Sequence, residues 1–157
     1  MSKDCIMVSI DAATKSTGYT IWKNAQIISQ DRFYFDEKDH TAIMKEVLLG
    51  FLENIKPDII VIEDVPFKKN VKTFKLLQRV IGTIEAWAII NRIVFWPFTP
   101  SEWHSLVKNP GEKVPLGRED LKKWSMNKTG LDQDDISDSQ LIGQAYINMC
   151  KKFDKAA

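Results

Sequence analysis

Two short apolar runs, each ending in a carboxylate, constrain this chain more than any other feature. Cys5-Ile6-Met7-Val8-Ser9-Ile10 runs into Asp11, and Ile59-Ile60-Val61-Ile62 runs into Glu63. Short apolar runs rich in β-branched residues read as buried strands. The second, apolar at every position, is marked for a central place in a sheet covered on both faces. Each strand therefore delivers an acid at its end. Further on, Asp135 and Asp138 stand three residues apart at the start of a helical pattern, so at about 100° per residue they share a face. Two strand-end carboxylates and a helical pair can converge on hard divalent cations, and carboxylate oxygens suit magnesium or manganese. Such a layout suits two-metal phosphodiester hydrolysis, in which the cations stabilise the attacking and leaving oxygens. Taken singly, each acid has a plainer reading. Asp11 can form a strand-end turn, Glu63 can be an edge charge, and Asp134, Asp135 and Asp138 can be acids favoured by the dipole of a helix N-terminus.

The intervening segments fill out a mixed α/β chain. Residues 4–11 form the first strand, Thr14 to Gly18 a turn of small residues, Tyr19 to Lys23 a second strand, and Asn24-Ala25 a turn into a third, Gln26 to Phe35. Three short-linked strands in series predict an antiparallel meander. From Thr41 the apolar residues Ile43, Val47, Phe51 and Ile55 recur every four, and this helix must stop before Pro57 because a residue ahead of proline avoids helical geometry. The 71–92 helix carries two apolar stripes, Phe74, Leu77, Ile81, Ile84 and Ala88 on one side and Leu76, Val80, Thr83, Trp87 and Ile90 on the other. One must cover the sheet; the other meets either a neighbouring helix or a second subunit. After a strand from Ile93 to Phe98, Thr99-Pro100-Ser101-Glu102 is a capping box with proline at the first helical position. The Pro-, Gly- and Lys-rich stretch 108–117 is a loop, Arg118 to Lys128 a short helix ended by Gly130, and Asp134 to Phe153 the last helix. The expected fold is a mixed five-stranded sheet, meander first and parallel strands after, flanked by helices in one domain spanning 1–157.

Composition narrows the function. No apolar run reaches the length of a bilayer span, and the N-terminus enters strand-like sequence too early for a signal peptide. Cys5 and Cys150 are too few and too distant for a zinc site or disulfide framework and are expected to be buried thiols in a reducing compartment, so the protein is expected to be soluble and cytoplasmic. Net charge is only +1, but its distribution is uneven. Lys68, Lys69, Lys72, Lys75 and Arg79 follow Glu63 in a cluster that itself contains no acid, and Lys108, Lys113, Arg118, Lys122, Lys123 and Lys128 outnumber the acids among them. Basic clusters on both sides of a carboxylate site point to phosphate contacts. Lys108 and Lys113 are the first choices, and Phe67 and Phe74, flanked by lysines, are the DNA-facing aromatics. Trp22, Trp87, Trp96 and Trp103 are expected in the core. His40 and His104, with no partner at ligand spacing, are expected to be surface or packing residues.

In order along the chain, Ser9-Ile10-Asp11-Ala12-Ala13-Thr14-Lys15-Ser16-Thr17-Gly18-Tyr19, Ile62-Glu63-Asp64-Val65, Phe98-Thr99-Pro100-Ser101 and Asp135-Ile136-Ser137-Asp138 resemble the RuvC-type Holliday-junction resolvases of the ribonuclease H-like superfamily. The resemblance covers nearly the whole chain, and its short length looks like the phage-encoded branch. No single motif is specific; four in register are. The resemblance implies a homodimer that nicks two strands of a four-way DNA junction symmetrically with magnesium or manganese, two ions per active site. By motif match it assigns catalysis and metal binding to Asp11, Glu63, Asp135 and Asp138, with Asp134 as the alternative to Asp135. It places the dimer contact on the helix after the Glu strand, here 71–92. DNA contacts are expected from Phe67, Lys68, Lys69, Lys72, Lys108, Lys113 and Arg118. The chain departs from the family in having Ala12-Ala13 after the first Asp rather than Pro-Gly, and Pro66 ahead of Phe67 where an aromatic can wedge at the junction. Competing readings are a ribonuclease H-like nuclease on RNA–DNA hybrid or structured RNA, and a binding protein that holds junctions without cutting. A sugar-kinase or actin-type ATPase shares an opening hairpin of this kind but needs two such domains.

Overall fold

The structure, a computed structural model, describes residues 3–35, 40–65 and 70–156. Five strands form one sheet: β1 (Ile6–Asp11), β2 (Ser16–Lys23), β3 (Gln26–Tyr34), β4 (Ile59–Glu63) and β5 (Val94–Phe98), in the order β3-β2-β1-β4-β5. The first three pair antiparallel as a meander, while β4 lies parallel to both β1 and β5. Asn24 and Ala25 turn the β2–β3 hairpin with positive φ of 50° and 64°, the geometry that lets a two-residue turn follow the strands' twist. β2 starts at Ser16, so strand pairing takes in most of the small-residue segment that reads as a turn. Small side chains say only that the backbone can bend, whereas here β1 and β3 flank it on both edges, with Ser16 opposite Tyr34.

Helix α1 (His40–Ile55) and helix α2 (Val71–Ile90) cover one face; α3 (Pro100–Val107), α4 (Arg118–Thr129) and α5 (Asp134–Ala156) cover the other. Strand alternation divides the residues between two cores. Val8, Ile10, Ile60 and Ile62 meet Met44, Leu48 and Leu52 of α1 and Leu77, Val80, Ile81 and Ile84 of α2. Met7, Trp22, Val61 and Phe98 meet Trp103, Trp124, Leu141, Ile142 and Ala145. Both faces of β4 are thus covered, as its unbroken apolar run requires. The inward stripe of α1 is Met44-Leu48-Leu52, one position from the expected line, and Val47 is exposed. The second stripe of α2 belongs to the same molecule: Val80 is fully buried, Leu76 and Trp87 pack against the core, and the Trp87 indole donates to Glu53 of α1 at 2.9 Å. Periodicity detects two apolar faces but not the helix that covers one of them.

Smaller expectations also change. Cys5 is exposed and Cys150 half-buried, because the first lies ahead of β1 and the second near the free end of α5. Trp96 is partly exposed on the edge strand β5, whereas Trp22 and Trp103 are core residues. Among the described residues no helix is long and apolar enough to cross a membrane.

Candidate active site

The alternation that fills the cores also aims the acids. Asp11 continues the Met7–Ser9 line of β1, and Glu63 continues the Ile59–Val61 line of β4, so both face the α5 side of the sheet. Ile10 lies opposite Ile62, which sets Asp11 and Glu63 at the carboxyl ends of adjacent parallel strands, where open α/β sheets bind ligands. Across the sheet the same level runs from Arg32 through Gly18 to Asp11, and from Glu63 to Phe98. Helix α5 is laid over that level by polar contacts buried beneath it. Ser9 Oγ donates to the Ser139 carbonyl at 2.6 Å, Thr20 and Ser139 share a 2.8 Å hydroxyl contact, and the Trp22 indole donates to Ser9 Oγ at 2.9 Å. Gly18 and Gly143 let the helix approach this closely: a Cβ on Gly18 would lie 2.2 Å from the Asp135 carbonyl oxygen, and one on Gly143 2.4 Å from the Trp22 indole nitrogen.

Glu63, Asp138 and Asp135 each have a partner that orients them. Glu63 accepts from the buried Trp103 indole at 2.6 Å, because the capped N-terminus of α3 follows directly on β5 beside β4. Asp138 accepts from Ser125 of α4 at 2.5 Å, and Ser125 continues through Ser137 at 2.8 Å to Thr129 at 2.7 Å. Asp135, nearly buried, accepts from the Ser16 hydroxyl, from the Ile136 amide at 2.9 Å, and from Arg32 Nη1 at 3.4 Å. Asp134 is more exposed and pairs with Lys122 at 3.6 Å.

The electrostatics are those of crowded acids, dominated by burial and mutual repulsion. Burial, then the charges of Glu63, Asp138, Asp135 and Asp134, hold the Asp11 carboxyl well above the ordinary range, although part of its surface still meets solvent. Burial is also the main cause that lifts Asp138 to about 7; the Ser125 hydrogen bond opposes the rise, and Glu63, Asp134 and Asp135 add to it. The four predicted acids therefore share one end of one face and feel one another's charge. Among the described residues they do not close into a ready-made cluster of three ligands. Their chemistry fits a hard divalent cation: every donor is a carboxylate oxygen, and the excess negative charge disfavours full ionisation until a cation offsets it.

The basic residues fall into three situations. Gln78 of α2 reaches Asp64 Oδ1 at 3.4 Å and the Val65 carbonyl at 3.3 Å. That ties the first turns of α2, with exposed Lys72, Lys75 and Arg79, to the acid-bearing end of β4. Lys108, Lys113 and Arg118 are exposed on the α3–α4 connection; Lys108 and Lys113 line an open groove of ≈ 630 Å³ that begins at Pro100 and Ser101. Glu112 staples that loop, accepting from Lys128 at 2.8 Å, the Asn109 amide at 2.7 Å and the Trp124 indole at 2.8 Å. The Lys128 contact and the Asn109 amide hold its carboxyl down at about 2. Phe67, Lys68 and Lys69 lie outside the described residues. Phe74 packs against the α1–α2 core, which removes it as an aromatic aimed at DNA. His104 packs between Trp103 and Trp124, and burial lowers its imidazole to about 4. Sequence reasoning missed Arg32, Ser16, Ser125 and Trp103 as partners of the acids. The capping box predicts α3 itself; no sequence signal pairs its Trp103 with Glu63.

A mixed five-stranded sheet in this order, clasped between two helical layers, is the ribonuclease H-like fold. Solved junction-resolving enzymes share it along almost the whole chain. RuvC of T. thermophilus in complex with Holliday junction substrate superposes with a TM-score of 0.68 at 11% identity, covering 94% of this chain and 96% of that one. The Fowlpox virus resolvase bound to Holliday junction DNA gives 0.62 at 18% identity, over 92% and 98% of the two chains. The yeast mitochondrial Holliday junction resolvase Ydc2 gives 0.59 at 18%, over 95% and 86%. In sequence, the crossover junction endodeoxyribonuclease RuvC of Borrelia turicatae (strain 91E135) is 24% identical over 104 residues, which is 65% of this chain and 63% of that relative. No protein-family model matches the chain.

Proposed function

We propose that this chain is a crossover junction endodeoxyribonuclease, a metal-dependent phosphodiester hydrolase that resolves four-way and other branched DNA junctions by symmetric nicking in the cytoplasm. The observation that carries the reading is the placement of Asp11 and Glu63 on neighbouring parallel strands, facing the helix start that bears Asp135 and Asp138. In this reading those four residues hold magnesium or manganese, two ions per site. When bound, the cations supply the charge that favours attack of water on phosphorus and departure of the 3′ oxygen. The chain's own residues do the rest. Trp103 orients Glu63 and Ser125 orients Asp138. Lys72, Lys108, Lys113 and Arg118, with Phe67, Lys68 and Lys69, contact the DNA. Asp135 is favoured over Asp134 because it points inward from the level of Gly18 and Arg32, whereas Asp134 is engaged at the surface by Lys122.

Paired nicks on a nearly two-fold junction need two sites related by a two-fold axis, so the reading includes a homodimer through α2. With one stripe on the sheet and the other against α1, the face left for a second copy is the outward line Lys75, Arg79, Gly82, Ala86 and Ile89. Gly82 and Ala86 are small enough for two such helices to cross closely.

The test is incubation with a synthetic immobile four-way junction, a Y-fork, linear duplex and RNA–DNA hybrid, with and without magnesium. The reading expects paired, magnesium-dependent nicks in the junction and none in duplex. Cleavage of the hybrid by a monomer favours a ribonuclease H activity instead, and binding of the junction without cutting favours a purely architectural protein.

A further inference from the structure

Arg32 contacts Asp135, an acid of the site, and its position follows from strand register. In an antiparallel pair, directly opposed residues stand on the same face. Arg32 of β3 is opposed to Gly18 of β2. A Cβ on Gly18 would run into the backbone of Asp135, so this face is the one covered by α5. The missing side chain lets the first turn of α5 settle against β2, and the guanidinium places Nη1 3.4 Å from both carboxylate oxygens of Asp135. The pair is mostly removed from water, with 23% of the Arg32 side chain and 10% of the Asp135 side chain exposed. Its length matters, since a charge-assisted hydrogen bond closes at about 2.7–2.9 Å. The contact is a loose ion pair that a closer cation can displace. Behind it, the guanidinium carbon lies 4.6 Å from the ring centroid of Tyr34, an exposed residue at the rim. That ring is a second resting place for the charge.

We propose that Arg32 is a counter-charge that competes with the divalent cation for Asp135. It neutralises Asp135 in the metal-free protein; when Asp135 turns to a cation, the guanidinium remains over Tyr34, at the mouth of the site, and takes a DNA phosphate. Arg32 is therefore a positioning residue for Asp135 and a phosphate contact that metal entry releases. The inference rests on the reading of Asp135 as a cation ligand.

The test is manganese binding to the full chain without DNA, followed by electron paramagnetic resonance, for the wild type, Arg32→Met, Arg32→Lys and Asp138→Asn. Removing a competing charge from a loose ion pair should tighten manganese binding in Arg32→Met about threefold to tenfold. The same variant should bind the junction more weakly in manganese, and Arg32→Lys should keep wild-type values of both. A residue that merely braces the fold would give the opposite sign, because a looser α5 weakens manganese binding. Where Arg32→Met does not fold in EDTA, Arg32→Gln, which keeps an N–H donor without the charge, carries the same expectation. Manganese affinity unchanged or weakened in the folded Arg32 variant overturns the proposal, while loss of binding in Asp138→Asn leaves the acid site standing. Manganese binding indifferent to Asp138→Asn would instead mean that the acid site itself is misassigned.

Discussion

Replacing Gly18 by alanine should damage stability and activity together, and the size of the effect follows from the space α5 leaves. The new Cβ would sit 2.2 Å from the Asp135 carbonyl oxygen, 2.4 Å from its carbon and 2.9 Å from the Ile136 nitrogen, whereas ordinary contact begins near 3.4 Å, a shortfall of about 1.2 Å. All three obstacles are backbone, so no side chain can swing aside. Either β2 or the first turn of α5 must move, and that turn carries Asp135 with Asp138 one turn on. Overpacking of this kind costs about 1–3 kcal/mol, or roughly 2–4 °C in Tm for each kcal/mol in a chain of this size. A displacement of about 1 Å at a catalytic group costs on the order of a hundredfold in rate. The assay is a thermal melt in EDTA beside junction cleavage in magnesium. Gly18 has no positive φ to protect, so crowding alone is at stake. An alanine variant that melts and cuts like the wild type would refute the claim that α5 is seated directly on β2.

Other outcomes follow from the same geometry. Ser125→Ala removes the hydroxyl that holds Asp138 and should slow junction cleavage about tenfold to a hundredfold in single-turnover assays, the usual range for a residue that orients a metal ligand. Metal-free protein should lose stability as pH rises from about 4 to 7: Asp138 binds its proton more tightly when folded, so the folded state holds more protons than the unfolded one across that window. Melts against pH should show a flatter slope in Asp138→Asn, and magnesium at pH 8 should recover part of the loss. Asp135→Asn should be inactive in junction cleavage and Asp134→Asn active; the reverse pattern would exchange their roles. Junction affinity should fall steeply with salt, and Lys108→Met or Lys113→Met should lower it in titrations where Lys155→Met does not. A charge on the outward face of α2, as in Ala86→Glu, should give a monomer by sedimentation; Ile84→Glu should unfold the chain, because Ile84 is buried against the sheet.

What could be read from the sequence was what is local. Strand ends and helix starts are encoded by neighbours in the chain, so Asp11, Glu63, Asp135 and Asp138 could be placed on elements before any packing was known. The capping box at Thr99 likewise forecasts α3, whose Thr99 side chain accepts from the Glu102 amide. Partnerships between distant segments were not legible. Arg32 meets Asp135 only because β3 sets it opposite Gly18, on which the first turn of α5 rests, and Ser125 meets Asp138 only because α4 packs against α5. The second stripe of α2 shows the same limit, since apolar periodicity is identical whether the cover is α1 or another subunit.

The claim that Asp11, Glu63 and Asp138 form the cutting site is tested most directly by measuring cleavage and binding of one immobile four-way junction by Asp11→Asn, Glu63→Gln and Asp138→Asn at saturating magnesium. Each substitution removes a charge at nearly constant volume. The account predicts that all three lose cleavage and bind the junction as well as the wild type or better. Near-normal paired nicking by any one of them would contradict it.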